Sequence, residues 1–304
     1  MTRFHADAAQ GSDPSATSDD RSEGVTLSDC RADFPFAEAL LLCPGAASHA
    51  GHPGLPGKLR GALGAELRPG ASAPALAGEP CPWLPPCALD VMWRPRGDLR
   101  PGFPIPLPWV IAVDAADDDL LVTLRLFGDA ADYLPEATEA MTRGLARGLS
   151  GIGPLSVADR RFRRANALPP LPAQTRILLD FITPLVLRHD QTAHADPSAM
   201  LRSLLHRVEG LLWWSGRSIS AEIPSLSTSI AEIDSHWLGE QAEEWARYSA
   251  PQRQAIAMQG VTGRLLLSGP TLSRLADLIG VGSVTHAGGR TAYGQGRFVV
   301  EGWE

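Results

Sequence analysis

Groups able to do chemistry are few in this 304-residue chain. Histidine titrates near neutrality and serves as acid, base or metal ligand; it occurs eight times. His49 and His52 share a Gly/Pro/Ala loop, "PGAASHAGHPG", and on residue type alone they read as solvated groups. His189 and His194 lie in a polar stretch without Cys, Asp or Glu at the spacing of a metal site. His206 falls on the polar face of a long helical pattern, and His236 beside Trp237 carries no reading. Cys81 and Cys87 bracket "CPWLPPC" with no second ligand pair, so a plain loop is expected. Neither a metal nor another cofactor is expected.

A further histidine, His286, opens "HAGGRTAYGQGRF". Glycines stand at 280, 282, 288, 289, 294 and 296, with Arg290 and Arg297 among them, just before the last apolar segment, "RFVVEGW". Glycine is costly in ordered chain unless the backbone takes positive φ or lies against a partner. Something therefore comes close to this main chain. A dinucleotide-binding loop runs from strand to helix, whereas this one follows a helix and enters a strand.

Charge narrows the partners. The formal net charge of -7 argues against a general polyanion binder. Residues 1–34 hold seven acids and three arginines and so carry -4 of it. Elsewhere the basic groups are almost all arginine, Lys58 being the only lysine. Guanidinium is the better planar, bidentate phosphate ligand, which keeps nucleic acid among the partners. Four cysteines make no disulfide framework and no leader pattern opens the chain, so a reducing, cytoplasmic setting is expected. The longest apolar run, "ILLDFITPLVL", is too short for a membrane span.

These groups must be held by elements. Residues 1–34 read as a disordered acidic tail. From 35 to 170 the pattern runs strand ("FPFAEALLLC"), helix with Leu55, Leu59, Leu63 and Leu67 in period, a Pro-rich excursion over 69–108, two strands ("WVIAV", "LLVTLRLFG"), a helix from Pro135, and a strand near "LSVADRRF". From 171 to 304 come a strand ("TRILLDFITPLVL"), a helix opened by Asp196-Pro197, irregular sequence, one or two strands in "RQAIAMQGVTGRLLLSG", a Pro270-initiated helix, the glycine-rich loop over 280–296, and "RFVV". Each half is β-α-β-β-α-β, and the fold expected is α+β, two tandem ferredoxin-like domains. Such a repeat places "RGLSGIGP" and the glycine-rich loop at equivalent points.

Several short motifs, in order, carry a resemblance over roughly residues 36 to 300. They are "RGALG" (Arg60 to Gly64), "CPWLPPC", the strand starting "PWV" (Pro108 to Val110), "LRLFGDA", "FITPLVL" (Phe181 to Leu187), "RYSAPQRQ" (Arg247 to Gln254) and the loop from His286 to Gly296. Together they resemble the longer bacterial branch of the CRISPR-associated endoribonucleases that process precursor CRISPR RNA, members of the repeat-associated mysterious protein superfamily.

The resemblance implies two tandem ferredoxin-like domains and metal-independent cleavage. The ribose 2′-hydroxyl attacks the adjacent phosphorus, leaving a 2′,3′-cyclic phosphate and a 5′-hydroxyl. That chemistry asks for a base, an acid and a cation. The family's usual place for its histidine implies His52 as catalytic, His49 as its rival and Lys58 as phosphate stabiliser. RNA-binding residues implied are Arg60, Arg247, Arg253, His286, Gly288, Gly289, Arg290, Gly294, Gly296 and Arg297, the glycine amides reaching phosphate oxygens unobstructed. The partner implied is CRISPR repeat RNA or its mature product, with other CRISPR effector subunits as a further possibility and no membrane. A non-catalytic subunit of the same superfamily, holding guide RNA, is the alternative. A two-domain protein-interaction module with no RNA role is a third reading.

Overall fold

The computed structural model describes residues 22–172, 174–187, 196–249 and 254–303. The first unit is built from β1 (Phe36–Cys43), α1 (Leu55–Leu67), β2 (Trp109–Ala116), β3 (Asp119–Phe127), α2 (Leu134–Arg147) and β4 (Asp159–Ala165). Its sheet is antiparallel in the order β2-β3-β1-β4. The second unit repeats the plan with β5 (Arg176–Leu185), α3 (Pro197–Leu212), β6 (Asp234–Ser249), β7 (Gln254–Ser268), α4 (Leu272–Thr285) and β8 (Phe298–Trp303), in the equivalent order β6-β7-β5-β8. Both are ferredoxin-like, as the sequence pattern implied.

The side-chain periods explain the layers. Along β1, Ala37, Ala39, Leu41 and Cys43 are buried, against Leu59, Leu63 and Leu67 of α1 and Met141 and Leu145 of α2. In the second unit, Met200, Leu201, Leu204, Leu205, Val208, Leu211 and Leu212 form the buried face of α3. Asp196 starts that helix by accepting from the amides of Ser198 and Ala199 at 3.0 and 3.2 Å. One apolar cluster joins the units, with Phe36, Val110 and Phe127 of the first beside Ile177, Leu179 and Phe181 of the second. Trp214 is buried, and its indole Nε1 donates to Pro106 O at 3.0 Å.

Three segments differ from the sequence reading. Residues 22–34 are ordered: Thr26 caps a helix, Leu27–Ala32, whose Leu27 and Cys30 are buried. Residues 1–21 lie outside the described residues. The Pro-rich excursion contains helices Ala73–Ala77 and Ala88–Trp93 and a small hairpin, Asp98–Arg100 with Phe103–Pro104. The "irregular" stretch contains a helix, Ile223–Ala231, and the whole of β6. β7 pairs with β5 only from Val261 to Ser268, so the outer parts of β6 and β7 extend as a two-stranded ribbon. A ribbon that is mostly exposed, burying little beyond Met258, needs no strict apolar alternation, and "EQAEEWARYS" shows little.

Among the described residues no helix is long and apolar enough to cross a membrane, and no group of three or more His, Cys, Asp or Glu could hold a metal ion.

Candidate active site

The glycine-rich loop joins α4 to β8, the position that 148–153 occupies between α2 and β4. Gly288, Gly294 and Gly296 take positive φ and meet protein. A Cβ on Gly296 (φ +70°) would lie 1.8 Å from Ala287 O, on Gly288 (φ +74°) 2.6 Å from Val186 O, and on Gly294 (φ +74°) 2.5 Å from Pro56 Cβ. The amides of Gly289 and Gly296 donate to Val186 O and Pro184 O at 2.6 and 2.9 Å, and that of Gly294 to Thr291 O at 2.9 Å. The partner brought close to this main chain is therefore the protein itself. These three amides are engaged, so the expected direct hold on phosphate does not come from them.

The loop clasps the first unit. Gln295 Nε2 donates to Pro53 O at 3.0 Å, and Arg297 Nη1 to Asp114 Oδ1 at 2.7 Å. The Tyr293 ring receives the guanidinium of Arg60 at 4.6 Å, and that guanidinium also faces Trp93 and Trp109. Arg60 is thus part of an aromatic cluster between the units. Beside the clasp, Arg125 donates to Glu38 at 2.7 Å and to Val284 O at 2.6 Å. A cleft of about 330 Å³ opens there, lined by Thr123, Arg125, Ser283, Arg297, Val299 and Val300 among others.

His286 caps α4 with φ +64° and is 1 % exposed, so its ring does not reach a surface that RNA could touch. Burial holds its pKa well below the usual imidazole range, and Arg125, Arg207 and Arg297 push the same way. The ring is neutral in the fold. Arg207 donates from Nε to Thr285 O at 2.7 Å, and burial lowers its pKa to about 9.

His52 is exposed on the loop before α1, and His49 half-buried at the end of a 3₁₀ turn. The Gly54 amide donates to His52 Nδ1 at 2.9 Å. A neutral ring so held carries its proton on Nε2, leaving that N–H as an outward donor. Lys58, in the first turns of α1, donates from Nζ to Ser150 O at 2.7 Å, bringing its ammonium to the 148–153 loop. A ring N–H donor and a cation six residues apart in the chain are the group types that protonate a leaving oxygen and stabilise an anion. Gln295 fixes the same loop at Pro53.

The second unit contributes one more group. A point one Cβ from Gly54 is 2.9 Å from His52 Cε1 and 3.7 Å from Trp245 Cδ1, so the indole of the β6 ribbon borders the His52 loop. Sequence reasoning missed Trp245 because β6 itself was not read as a strand. Of the other expected site residues, Arg290 is exposed and 5.9 Å from the Tyr293 ring, and Arg247 is on β6 two positions from Trp245. Arg253, His189 and His194 lie outside the described residues. His206 is more than a surface group: Arg100 approaches its Nδ1 to 2.7 Å while donating to Glu209.

Two ferredoxin-like units locked by a buried glycine loop, with an exposed histidine where that loop meets the first unit, define a two-domain α+β protein with a candidate site at the junction of its units. Residues 179–298 match the family model for CRISPR-associated endoribonuclease Cas6. Among solved structures, the Cas6 (TTHB231) product complex, a protein of Thermus thermophilus, is similar with TM-score 0.56 and 14% identity, over 88% of this chain and 100% of that one. The Cas6 (TTHA0078) product complex is similar with TM-score 0.53 and 15% identity, again over 88% and 100%. No curated protein matches the chain. In fold the chain is similar to these Cas6 structures, and in sequence its residues 179–298 match the Cas6 family model.

Proposed function

We propose that this protein is a metal-independent endoribonuclease that binds CRISPR repeat RNA and cleaves precursor CRISPR RNA. The 2′-hydroxyl of the nucleotide before the cut attacks the adjacent phosphorus, the P–O5′ bond breaks, and the products end in a 2′,3′-cyclic phosphate and a 5′-hydroxyl. His52 protonates the departing 5′-oxygen from Nε2, the proton released by the 2′-hydroxyl passes to solvent and solvent returns one to the ring, and Lys58 faces the charge on the phosphorane. Arg290 and Arg247 hold phosphates on either side. The observation that carries this reading is the His52–Gly54 hydrogen bond, which fixes the ring and aims a proton at solvent from a loop clasped by both units. The Cas6 family match and the likeness to two Cas6 product complexes support it.

Product analysis tests the chemistry. Cleavage of a labelled repeat RNA is expected to leave a cyclic phosphate and to stop when the nucleotide before the cut is 2′-deoxy. A 3′-hydroxyl product, or cleavage of the deoxy substrate, overturns it. Tight binding with no cut moves the protein to the guide-holding subunit reading.

A further inference from the structure

β4 reads "DRRFRRA", and the site described above uses none of it. It pairs only with β1 and so forms an edge of the first sheet. All of residues 160 to 164 are exposed, and Phe162 keeps 58% of its surface in solvent. Opposite Ala39, Phe162 lies between Arg160 and Arg164 on one face, while Arg161 and Arg163 point to the other. Four arginines and one aspartate give the strand +3 in a chain of net -7.

Three of the four arginines are held only by partners that are themselves largely exposed, Arg160 by Glu139 of α2 among them. Arg161 pairs with Asp159 at 2.8 Å and Arg164 with Asp132 at 2.9 Å, and both members of each pair are exposed. Such pairs contribute little and exchange readily for another anion. Arg163 differs, since its partner is the buried Glu38. The strand also starts in a telling place. Asp159 lies opposite Leu42, and the Ala158 amide donates to Leu42 O at 2.9 Å, at the end of β1 from which the His49–His52 loop departs. Seven residues at roughly 3.3 Å each make a track of about 23 Å leading away from that loop.

We propose that β4 is a binding track for single-stranded RNA flanking the segment that is cut. Phe162 stacks a base, and Arg160, Arg161 and Arg164 take phosphates along it. An exposed aromatic between arginines is how sequence-tolerant single-strand binding is built. The proposal rests on the reading that the chain binds RNA, and names where the substrate runs beyond the cut.

The test measures affinity of the full chain, by fluorescence anisotropy, for a repeat RNA made 2′-deoxy at the nucleotide before the cut. The RNA is used alone, with ten extra nucleotides at its 5′ end, or with ten at its 3′ end. One extension is expected to tighten binding to the wild type. Phe162→Ala should reduce that gain by roughly 5- to 100-fold. Arg161→Ala with Arg164→Ala should lower the slope of log affinity against log salt by about 1.4. Both variants should bind the bare repeat like wild type and melt at the same temperature. If neither extension tightens binding, or the gain survives both variants, the track is refuted and the proposed function stands. If the wild type binds no repeat RNA, the proposed function falls as well.

Discussion

Replacing Gly296 by alanine perturbs the clasp at its tightest point. The new Cβ would lie 1.8 Å from Ala287 O, a backbone atom that no rotamer change can move. The residue also holds φ +70°, a left-handed conformation that costs an alanine about 1–2 kcal/mol. Relieving the clash requires separating the strands of the loop. That threatens the hydrogen bonds from Ala287 N to Gly296 O at 2.8 Å and from Gly296 N to Pro184 O at 2.9 Å, each contributing about 1 kcal/mol. The expected loss is about 3–4 kcal/mol, a fall in melting temperature of about 5–6 °C for a chain of this size. Gly61→Ala is the matched control. That glycine lies within α1 with open space around its missing Cβ, and alanine there should stabilise by about 1 kcal/mol. Calorimetry or a urea titration reads both. A Gly296→Ala protein melting within about 2 °C of wild type would refute the argument that these glycines exist for close packing.

Three further outcomes follow from the same geometry. The lowered pKa of His286 means that below its unfolded value the unfolded chain takes up a proton the fold refuses, so stability falls as pH drops below about 6.5, by up to about 1.4 kcal/mol per unit; urea midpoints at pH 7.5 and 5.5 should differ less in His286→Asn. Arg100→Ala strands the buried Glu209 carboxylate and should cost about 2–3 kcal/mol, whereas Arg100→Met with Glu209→Met should be close to neutral, and paired denaturation curves separate the two. Trp245→Ala removes one of the second unit's contacts at the His52 loop and leaves that of Gln295; single-turnover cleavage should slow at least about 10-fold while melting shifts by only a few degrees, and Trp245→Phe should recover most of the rate.

What could be read in the sequence followed strict periods. Leu59, Leu63 and Leu67 in α1 and the seven apolar positions of α3 each have one buried face, so helical spacing sufficed. Asp196-Pro197 and Pro135 marked helix starts because capping is a local event. β6 was illegible because half of it is a ribbon in solvent, where burial imposes no alternation. The glycine cluster correctly signalled a close approach, but spacing cannot say to what, and the neighbours turned out to be Pro56, Val186 and Ala287. Arg60 and His286 looked like RNA ligands for the same reason: the Trp93, Trp109 and Tyr293 rings around one and the burial of the other arise only from tertiary contact.

The central claim is that His52 performs the chemistry. The direct measurement is single-turnover cleavage of a labelled repeat RNA in EDTA by wild type, His52→Ala and His49→Ala, with melting curves for all three. The account predicts one cut by wild type in EDTA, a loss of about 10²-fold or more in His52→Ala without loss of fold, and a rate near wild type in His49→Ala. Full activity in His52→Ala, or cleavage that stops when EDTA is added, would contradict it.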